Sequence, residues 1–337
     1  MGLQIGELVS RKEVSFSDLS GKKIAVDAFN ALYQFLSSVR QPDGTPLMDS
    51  KGNVTSHLSG LFYRNISLLS EGLKLIYVFD GHYHILKGKT HEKRDSVKQE
   101  AKERYDEAVE AGDLDSMGRY ARQMSVLNKN MIDESKELLE AMGIAVYQAA
   151  GEGEVQCAEI VKRGEAYAVA SQDYDALVVG GKRLVQNLTL ARKRKTPNGY
   201  ISINPEMIDY ERMLQSLEID RDQFICLAVL VGTDFNPGGV RGIGPKKALA
   251  LVQRKKYPVE IFRDLEEQGK LDFDWKEIFE IFKNPRVSKD AVKTPKIDEA
   301  KIKEILVERH DFSEDRVEKQ LQKLRDSKGK QTQQKLF

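Results

Sequence analysis

Seven carboxylates stand where they could act together on one substrate, namely Asp27, Asp80, Glu152, Glu154, Asp173, Asp175 and Asp234. Three close short apolar or β-branched runs, KIAVD at 23–27, LIYVFD at 75–80 and YAVASQD at 167–173, the last followed by Tyr174 and Asp175. Glu152 and Glu154 follow IAVY at 144–147 by way of Gly151. Each acid alone has an ordinary explanation. Asp175 suits a helix cap, Glu152 and Glu154 suit the positive end of a helix, and Asp80-Gly81 and Thr233-Asp234 suit turns. Gathered together, they repel and raise one another's pKa unless a cation offsets them. No equally dense set of Arg or His accompanies them, so metal ions are the expected counter-charge. A donor set without His or Cys suits hard cations: Mg²⁺, Mn²⁺ or Ca²⁺. Seven acids exceed the needs of one Mg²⁺ and fit two. Two ions about 3.5–4 Å apart stabilise the attacking and leaving oxygens of an in-line displacement, so phosphodiester hydrolysis is the chemistry expected.

Cations for such a substrate are also present. Lys87 and Arg94 lie seven residues apart, on one face if their segment is helical. Arg offers a bidentate phosphate contact and Lys a point charge. Arg192, Lys193, Arg194 and Lys195 form a basic cluster, expected in a hairpin between strands at Leu188–Leu190 and Tyr200–Ile203. Gly242-Ile243-Gly244-Pro245 is neither a dinucleotide fingerprint nor a P-loop. It resembles the tight turn of helix–hairpin–helix DNA-binding modules, whose glycines let backbone groups approach phosphates and a monovalent cation. Lys246 and Lys247 follow, and Arg241 to Lys256 holds six basic residues and no acid. Such patches neutralise phosphates without reading sequence.

Placing the acids at one point requires a particular frame. Strand-like runs alternate with helix-like segments at Ala31–Val39, Leu58–Leu69 and Met131–Met142. That alternation predicts an α/β fold, a central, mainly parallel sheet flanked by helices. In such sheets ligands bind beyond the carboxyl ends of the strands, where the acids stand. A polar, helix-forming insertion at about 82–130 interrupts the alternation. The chain is mostly helical from about Phe224, and from Ser327 it reads as a polar, flexible tail. The expected division is 1–98, 99–130, 131–258, 259–326 and 327–337.

Composition excludes several classes. Of 337 residues, 53 are basic and 52 acidic, so a net charge of +1 gives no bulk argument for a polyanion partner; the charges must segregate to matter. At 40% hydrophobic the chain can build a core. Cys157 and Cys226 make no disulfide framework and point to a reducing interior. His82 and His84, just past a strand end, read as polar loop rather than a zinc site. The longest apolar run, Phe224–Val231, is far short of a membrane span, and no signal peptide is apparent. A soluble intracellular protein is expected.

The motifs together resemble those of flap endonucleases of the XPG family in their archaeal form. The resemblance spans residues 1–325 and rests on IAVDAFNALYQFL at 24–36, TSHLSGLFYRNI at 55–66, IYVFDG at 76–81, GEGEVQCA at 151–158, SQDYDALVVG at 171–180 and LVGTDFNPGGVRGIGPKKAL ending at Leu249. It implies a PIN-like nuclease that removes single-stranded 5′ flaps at duplex junctions, with 5′–3′ exonuclease activity, in Okazaki fragment maturation and repair. It implies two Mg²⁺, replaceable by Mn²⁺, with Asp27, Asp80, Glu152 and Glu154 at the first and Asp173, Asp175 and Asp234 at the second. Lys87 and Arg94 match the phosphate-polarising pair, Tyr33 the aromatic on which a base stacks, and Arg64 a DNA contact. Gly2 matches the mature N-terminal residue near the site. Segment 82–130 matches the helical arch, and Gly242 and Gly244 the helix–two-turn–helix that grips duplex with K⁺. The chain departs from the pattern at His82-Tyr83-His84-Ile85, where relatives carry a proline-containing run. The sliding-clamp motif is degenerate: Gln331 is followed by Gln334 at the aliphatic position, and Leu336 and Phe337 end the chain. A monomer that meets no membrane is implied, working in a cytoplasm. The alternatives are a 5′–3′ exonuclease or PIN-like RNase without flap preference, and a non-catalytic junction-binding scaffold. A scaffold would be expected to carry disabled acids, and all seven are intact.

Overall fold

The computed structural model describes residues 3–41, 44–81, 100–104, 107–108, 113, 116, 120, 126–190, 193–196 and 199–334. Its strands are β1 (Lys12–Glu13), β2 (Lys23–Asp27), β3 (Lys74–Phe79), β4 (Ala145–Gln148), β5 (Ala168–Ala170), β6 (Arg183–Gln186), β7 (Lys193–Thr196), β8 (Gly199–Ser202) and β9 (Glu206–Asp209). Seven of them form a central sheet in the order β1-β9-β6-β5-β2-β3-β4, and β7 pairs with β8 apart from it. Strands β4, β3, β2, β5 and β6 run parallel; β9 is antiparallel to β6 and to β1. The expected α/β architecture is therefore present, with an antiparallel margin.

Continuous apolar runs in β2 and β3 fit strands covered on both faces. Successive side chains go to opposite sides. Ile24, Val26, Leu75 and Tyr77 enter a core with α1 (Ala28–Ser38), α2 (Ser56–Ser70) and α3 (Lys129–Ala141). Ala25, Ile76 and Val78 enter the other, with α4 (Gly153–Lys162), α5 (Asp175–Val178), α6 (Tyr210–Leu217) and α7 (Arg221–Val231). Helix α7 begins in a capping box between Asp220 and Gln223, which satisfies two end groups reciprocally.

Helices α8 (Pro245–Arg254), α9 (Pro258–Glu267) and α10 (Trp275–Lys283) extend the second core. Both α8 and α9 start with proline at the first turn, where its missing N–H costs nothing. After an irregular stretch at 284–298, α11 (Glu299–Lys303), a π-helical turn (Glu304–Arg309) and α12 (Glu314–Gln334) return to the first core through Ile302, Ile305, Leu306, Val317 and Leu321.

Two expectations are corrected. The basic hairpin pairs β7 with β8, so Lys193, Arg194 and Lys195 lie in its first strand rather than in a loop after Leu188–Leu190. Cross-strand pairing, Arg194 with Ile201, outweighs the weak β-propensity of Lys and Arg. The stretch from Ser327, expected as a separate tail, continues α12 as far as Gln334. The start of α12 is held by ion pairs of Glu318 with Lys303 and Arg325, and of Arg325 with Glu299.

Candidate metal centre

The carboxylates are set by strand ends and helix starts. Asp27 closes β2 and caps α1, its Oδ1 accepting the Asn30 N–H at 3.2 Å. Asp80 directly follows β3, and its Oδ1 accepts the Gly153 N–H at 2.6 Å. Glu152 is the residue that opens α4 and Glu154 lies in its first turn. The Glu154 Oε1 accepts the Ala176 N–H of α5 at 3.2 Å. Asp173 follows β5, and its Oδ2 accepts from Asn30 Nδ2 at 3.3 Å. Asp175 starts α5, and Asp234 lies in the turn after α7, where Thr233 and Asn236 are hydrogen-bonded to each other. Asp27, Glu154, Asp175 and Asp234 are all buried.

Their mutual repulsion shows which of them meet. Burial first, then Asp80 and Asp173, push Asp27 up to about 8, against the opposing N–H bond from Asn30. Burial first, then Asp175, Asp173 and Asp27, push Glu154 well above the usual carboxylate range. Asp27, Asp80, Glu154, Asp173 and Asp175 thus share one field. Neither Glu152, at the start of α4, nor Asp234 is among the leading influences on Asp27 or Glu154. Among the described residues no three acids, His or Cys converge as a closed coordination shell. The elements gather the carboxylates without closing them on a point, as like charges in low dielectric require.

The donor chemistry fits a hard cation. The nearby Cys157 thiol is pushed well up by burial, then by Asp27, Glu154 and Asp80, so it stays protonated and offers no thiolate. What remains is oxygen, the donor set of Mg²⁺ or Mn²⁺.

Around this centre the other expected residues are distributed unevenly. Tyr33, 40% exposed, lies three residues past Asn30 on α1 and so shares its face of the helix. Arg64 is half-buried and donates through Nε to the Thr189 carbonyl at 3.1 Å. Gly242 has φ +82 with open space at its Cβ position, so the turn needs the left-handed backbone that glycine supplies. Gly244 caps α8, and Lys247 Nζ donates to the Gly242 carbonyl at 3.1 Å. Lys246 reaches Glu7 at 3.4 Å, an exposed pair of little energetic weight. Lys193 and Arg194 are placed by backbone on β7, and Gln331 within α12. Gly2, Lys87, Arg94, Arg192, Leu336 and Phe337 lie outside the described residues, as do His82, His84 and most of 82–130.

Sequence reasoning missed Asn30 and Gly153. Asn30 touches three parts of the centre: it donates to Asp27 and Asp173 and accepts the Gln172 N–H at 3.4 Å. Its signal was its spacing, three residues after an acid that ends a strand. A Cβ on Gly153 would stand 2.7 Å from Asp80 Oδ1 and 3.0 Å from the Val78 carbonyl oxygen, so this position needs glycine.

A carboxylate-lined centre at the ends of a parallel sheet defines a class rather than a protein, and comparison narrows it. The family model described as the XPG N-terminal domain matches residues 3–101, spanning Asp27 and Asp80. The model of the XPG I-region matches residues 143–234, spanning the other five acids. The chain is 48% identical to flap endonuclease 1 of Thermococcus onnurineus over 328 residues, 96% of this chain and 95% of that one. It is 48% identical to flap endonuclease 1 of Pyrococcus furiosus over 339 residues, 98% of each. The solved flap endonuclease-1 of Methanococcus jannaschii superposes with a TM-score of 0.76 at 39% identity, covering 98% of this chain and all of that one. The catalytic core of Rad2 bound to DNA shares the fold at 23% identity, TM-score 0.68, covering 95% of this chain and 97% of that one. The chain belongs to the XPG family, among its flap endonucleases. Among the described residues no helix is long and apolar enough to cross a membrane.

Proposed function

We propose that this chain is a structure-specific nuclease that hydrolyses the phosphodiester bond at the base of a single-stranded 5′ arm on branched DNA, with accompanying 5′–3′ exonuclease action, in replication and repair. The observation that carries this reading is the gathering of Asp27, Asp80, Glu154, Asp173 and Asp175 at strand ends and helix starts, where burial first, and then the neighbouring carboxylates, push Asp27 and Glu154 above the usual carboxylate range. Like charges held this way, on rigid strand ends, call for divalent counter-charge that a phosphate substrate can share.

Two Mg²⁺, replaceable by Mn²⁺, would supply that charge and polarise the scissile phosphate. Asp27, Asp80, Glu152 and Glu154 are assigned to the first ion, and Asp173, Asp175 and Asp234 to the second. Asn30 and the Gly153 N–H orient the acids: hydrogen bonds on Asp27, Asp80 and Asp173 fix which oxygens remain to face a cation. Lys87 and Arg94 are assigned to the transferring phosphate and Tyr33 to the base beside it. Arg64, Gly2 and the Arg192–Arg194 hairpin strand are assigned to DNA backbone near the junction. The Gly242–Gly244 turn, with Lys246, Lys247 and K⁺, is assigned to duplex. Gln331, Leu336 and Phe337 are assigned to a shortened sliding-clamp contact. The working form is a cytoplasmic monomer with the domain division given above, except that 259–334 is one stretch because α12 runs through the boundary at Ser327.

The test is cleavage of one labelled double-flap substrate, with Mg²⁺ and with EDTA, alongside blunt duplex and single-stranded RNA. A cut at the flap base, lost in EDTA and in Asp175→Ala while duplex binding persists, is expected. Metal-independent cutting, or normal rates in Asp175→Ala, overturns the assignment.

A further inference from the structure

Arg11 stands just ahead of β1 and directs its guanidinium at three neutral acceptors. Nε donates to Gln186 Oε1 at 3.1 Å, while Nη2 donates to the Gly6 carbonyl at 3.3 Å and to the Tyr174 hydroxyl. Its ion pair with Glu206 is long, 3.9 Å, and both side chains reach solvent, so the charge itself adds little. The fork, rather than the charge, is what the surroundings use.

What the fork holds lies on both sides of Asp173. Gln186 closes β6, is buried, and extends the contact: its Nε2 donates to the Gln172 carbonyl at 2.7 Å. Tyr174, 8% exposed, stands between Asp173 and Asp175. One guanidinium therefore ties the residue before Asp173 by way of Gln186, and the residue after it directly. From the other side Asn30 accepts the Gln172 N–H and donates to Asp173 Oδ2. The turn that carries two acids is gripped from two directions, by α1 and by the N-terminal segment.

That segment is itself fixed. Leu3, Ile5 and Val9 are buried in the second core, which seats Gly6 between them and Arg11. A Cβ on Gly6 would stand 2.9 Å from Arg11 Nη2 and 3.1 Å from the Tyr174 hydroxyl oxygen, so glycine leaves the space in which the two meet. Lysine has no equivalent of this arrangement, because one ammonium nitrogen cannot occupy the places of both Nε and Nη2.

Asp173 and Asp175 are two of the three acids assigned above to the second ion, and groups behind a ligand set its place and its affinity. We propose that Arg11 is a positioning residue for that ion: it fixes Gln172 and Tyr174, and with them the spacing of Asp173 and Asp175, while touching neither metal nor substrate. This rests on the nuclease reading and deepens its metal assignment.

The test is Mn²⁺ binding to the full chain without DNA, followed through the electron paramagnetic resonance of the free ion, with the fold checked by thermal unfolding. In Arg11→Met one class of site is expected to lose about tenfold in affinity and the other to change by less than about twofold. The weakened class is the one that Asp173→Asn removes. Arg11→Lys keeps the charge without the fork and should lose nearly as much. Gln186→Leu should weaken the same class, and the double variant with Arg11→Met should lose less than the two effects combined, because both act through one chain of bonds. Glu206→Gln, which removes only the long ion pair, should leave both classes as they were. If Arg11→Met does not fold, Gln186→Leu decides by the same two affinities. Equal weakening of both classes, no weakening of either, or full rescue by Arg11→Lys overturns the proposal, as does an unaltered chain that binds fewer than two Mn²⁺. Cleavage of the double-flap substrate keeps the two readings apart: a chain that binds two Mn²⁺ and cuts nothing sinks the nuclease reading, while the binding measurements still judge Arg11.

Discussion

The Asp80 carboxylate and the Gly153 backbone are bound to each other across two elements, Oδ1 accepting the N–H at 2.6 Å at the first residue of α4. One acid at a strand end thus fixes the start of the helix that carries two more. The space between them admits no side chain, because a Cβ on Gly153 would stand 2.7 Å from that same oxygen. Gly153→Ala is therefore expected to displace Asp80 and lower kcat by about 10²-fold, the scale of a misplacement near 1 Å. Because alanine favours helix over glycine by about 1 kcal/mol, stability should fall little. Rates on a flap substrate, set beside unfolding midpoints, check both halves; an unchanged kcat refutes the packing argument.

Asn30 ties α1 to the β5 end through Asp27, Gln172 and Asp173. Asn30→Ala keeps the helix and removes both side-chain contacts. The expected effect is a weaker response to divalent metal, with about 10–100-fold more Mg²⁺ or Mn²⁺ required for half-maximal rate. Titrating activity against metal in the two proteins measures it. A lower plateau without a shifted midpoint would show that Asn30 acts elsewhere.

Asp27→Asn separates stability from chemistry. Asn caps a helix as well as Asp does, so α1 keeps its start. The folded pKa of Asp27 lies above its ordinary value, so without metal the native state binds more protons than the unfolded one. Stability therefore falls as pH rises from about 4 toward 8. The substitution should flatten that fall and raise stability in EDTA at pH 8 by roughly 5 kcal/mol, since the shift is about four pKa units at about 1.4 kcal/mol each. On the proposed assignment of Asp27 to a metal ion, activity should drop by about 10³-fold or more, as a metal-assisted displacement loses one of its ligands. Denaturant titrations in EDTA at several pH values decide it, and an unchanged slope counts against the shared field.

His57 gives the opposite slope. It is fully buried on α2, and among the described residues neither ring nitrogen has a hydrogen-bond partner. Burial first, then the charge of His310, lowers its pKa to about 4. The unfolded chain takes up this proton near 6.5 and the native one only near 4. Stability is thus intact above about 6.5 and is lost as pH falls toward 4. His57→Leu should remove about 2 kcal/mol of that loss while changing stability at pH 7 by less than about 1 kcal/mol. Unfolding midpoints between pH 7 and 4 provide the measurement.

Much of this was legible in sequence because parallel strands and their terminal acids are local signals. KIAVD is strand β2 to the residue, and the four other acids named in the shared field lie just past strand ends or at helix starts. Helix α1 begins at Ala28, ahead of the apolar spacing that suggests Ala31, because Asp27 caps it. What stayed hidden was tertiary. Strands β1 and β9 pair as a two-sided margin with little apolar patterning in β1. The basic strand β7 exists by virtue of its partner β8. The irregular stretch at 284–298 has no periodicity, since its place is dictated by Gln156, Arg163 and Tyr147, far away in the chain.

The strand order carries a consequence for how the chain comes to life. β2 lies between β3 and β5, with Ile24 beside both Leu75 and Ala168. The central strand can finish pairing only after a segment from far down the chain has closed on it, and such long loops make for slow, late steps in folding. A chain emerging from the ribosome would hold Asp27 and Asp80 together early but lack Asp173 and Asp175 until β5 had docked. On the proposed assignment a half-made copy would lack its second set of metal ligands, so the order of synthesis itself would keep an unfinished enzyme from cutting DNA.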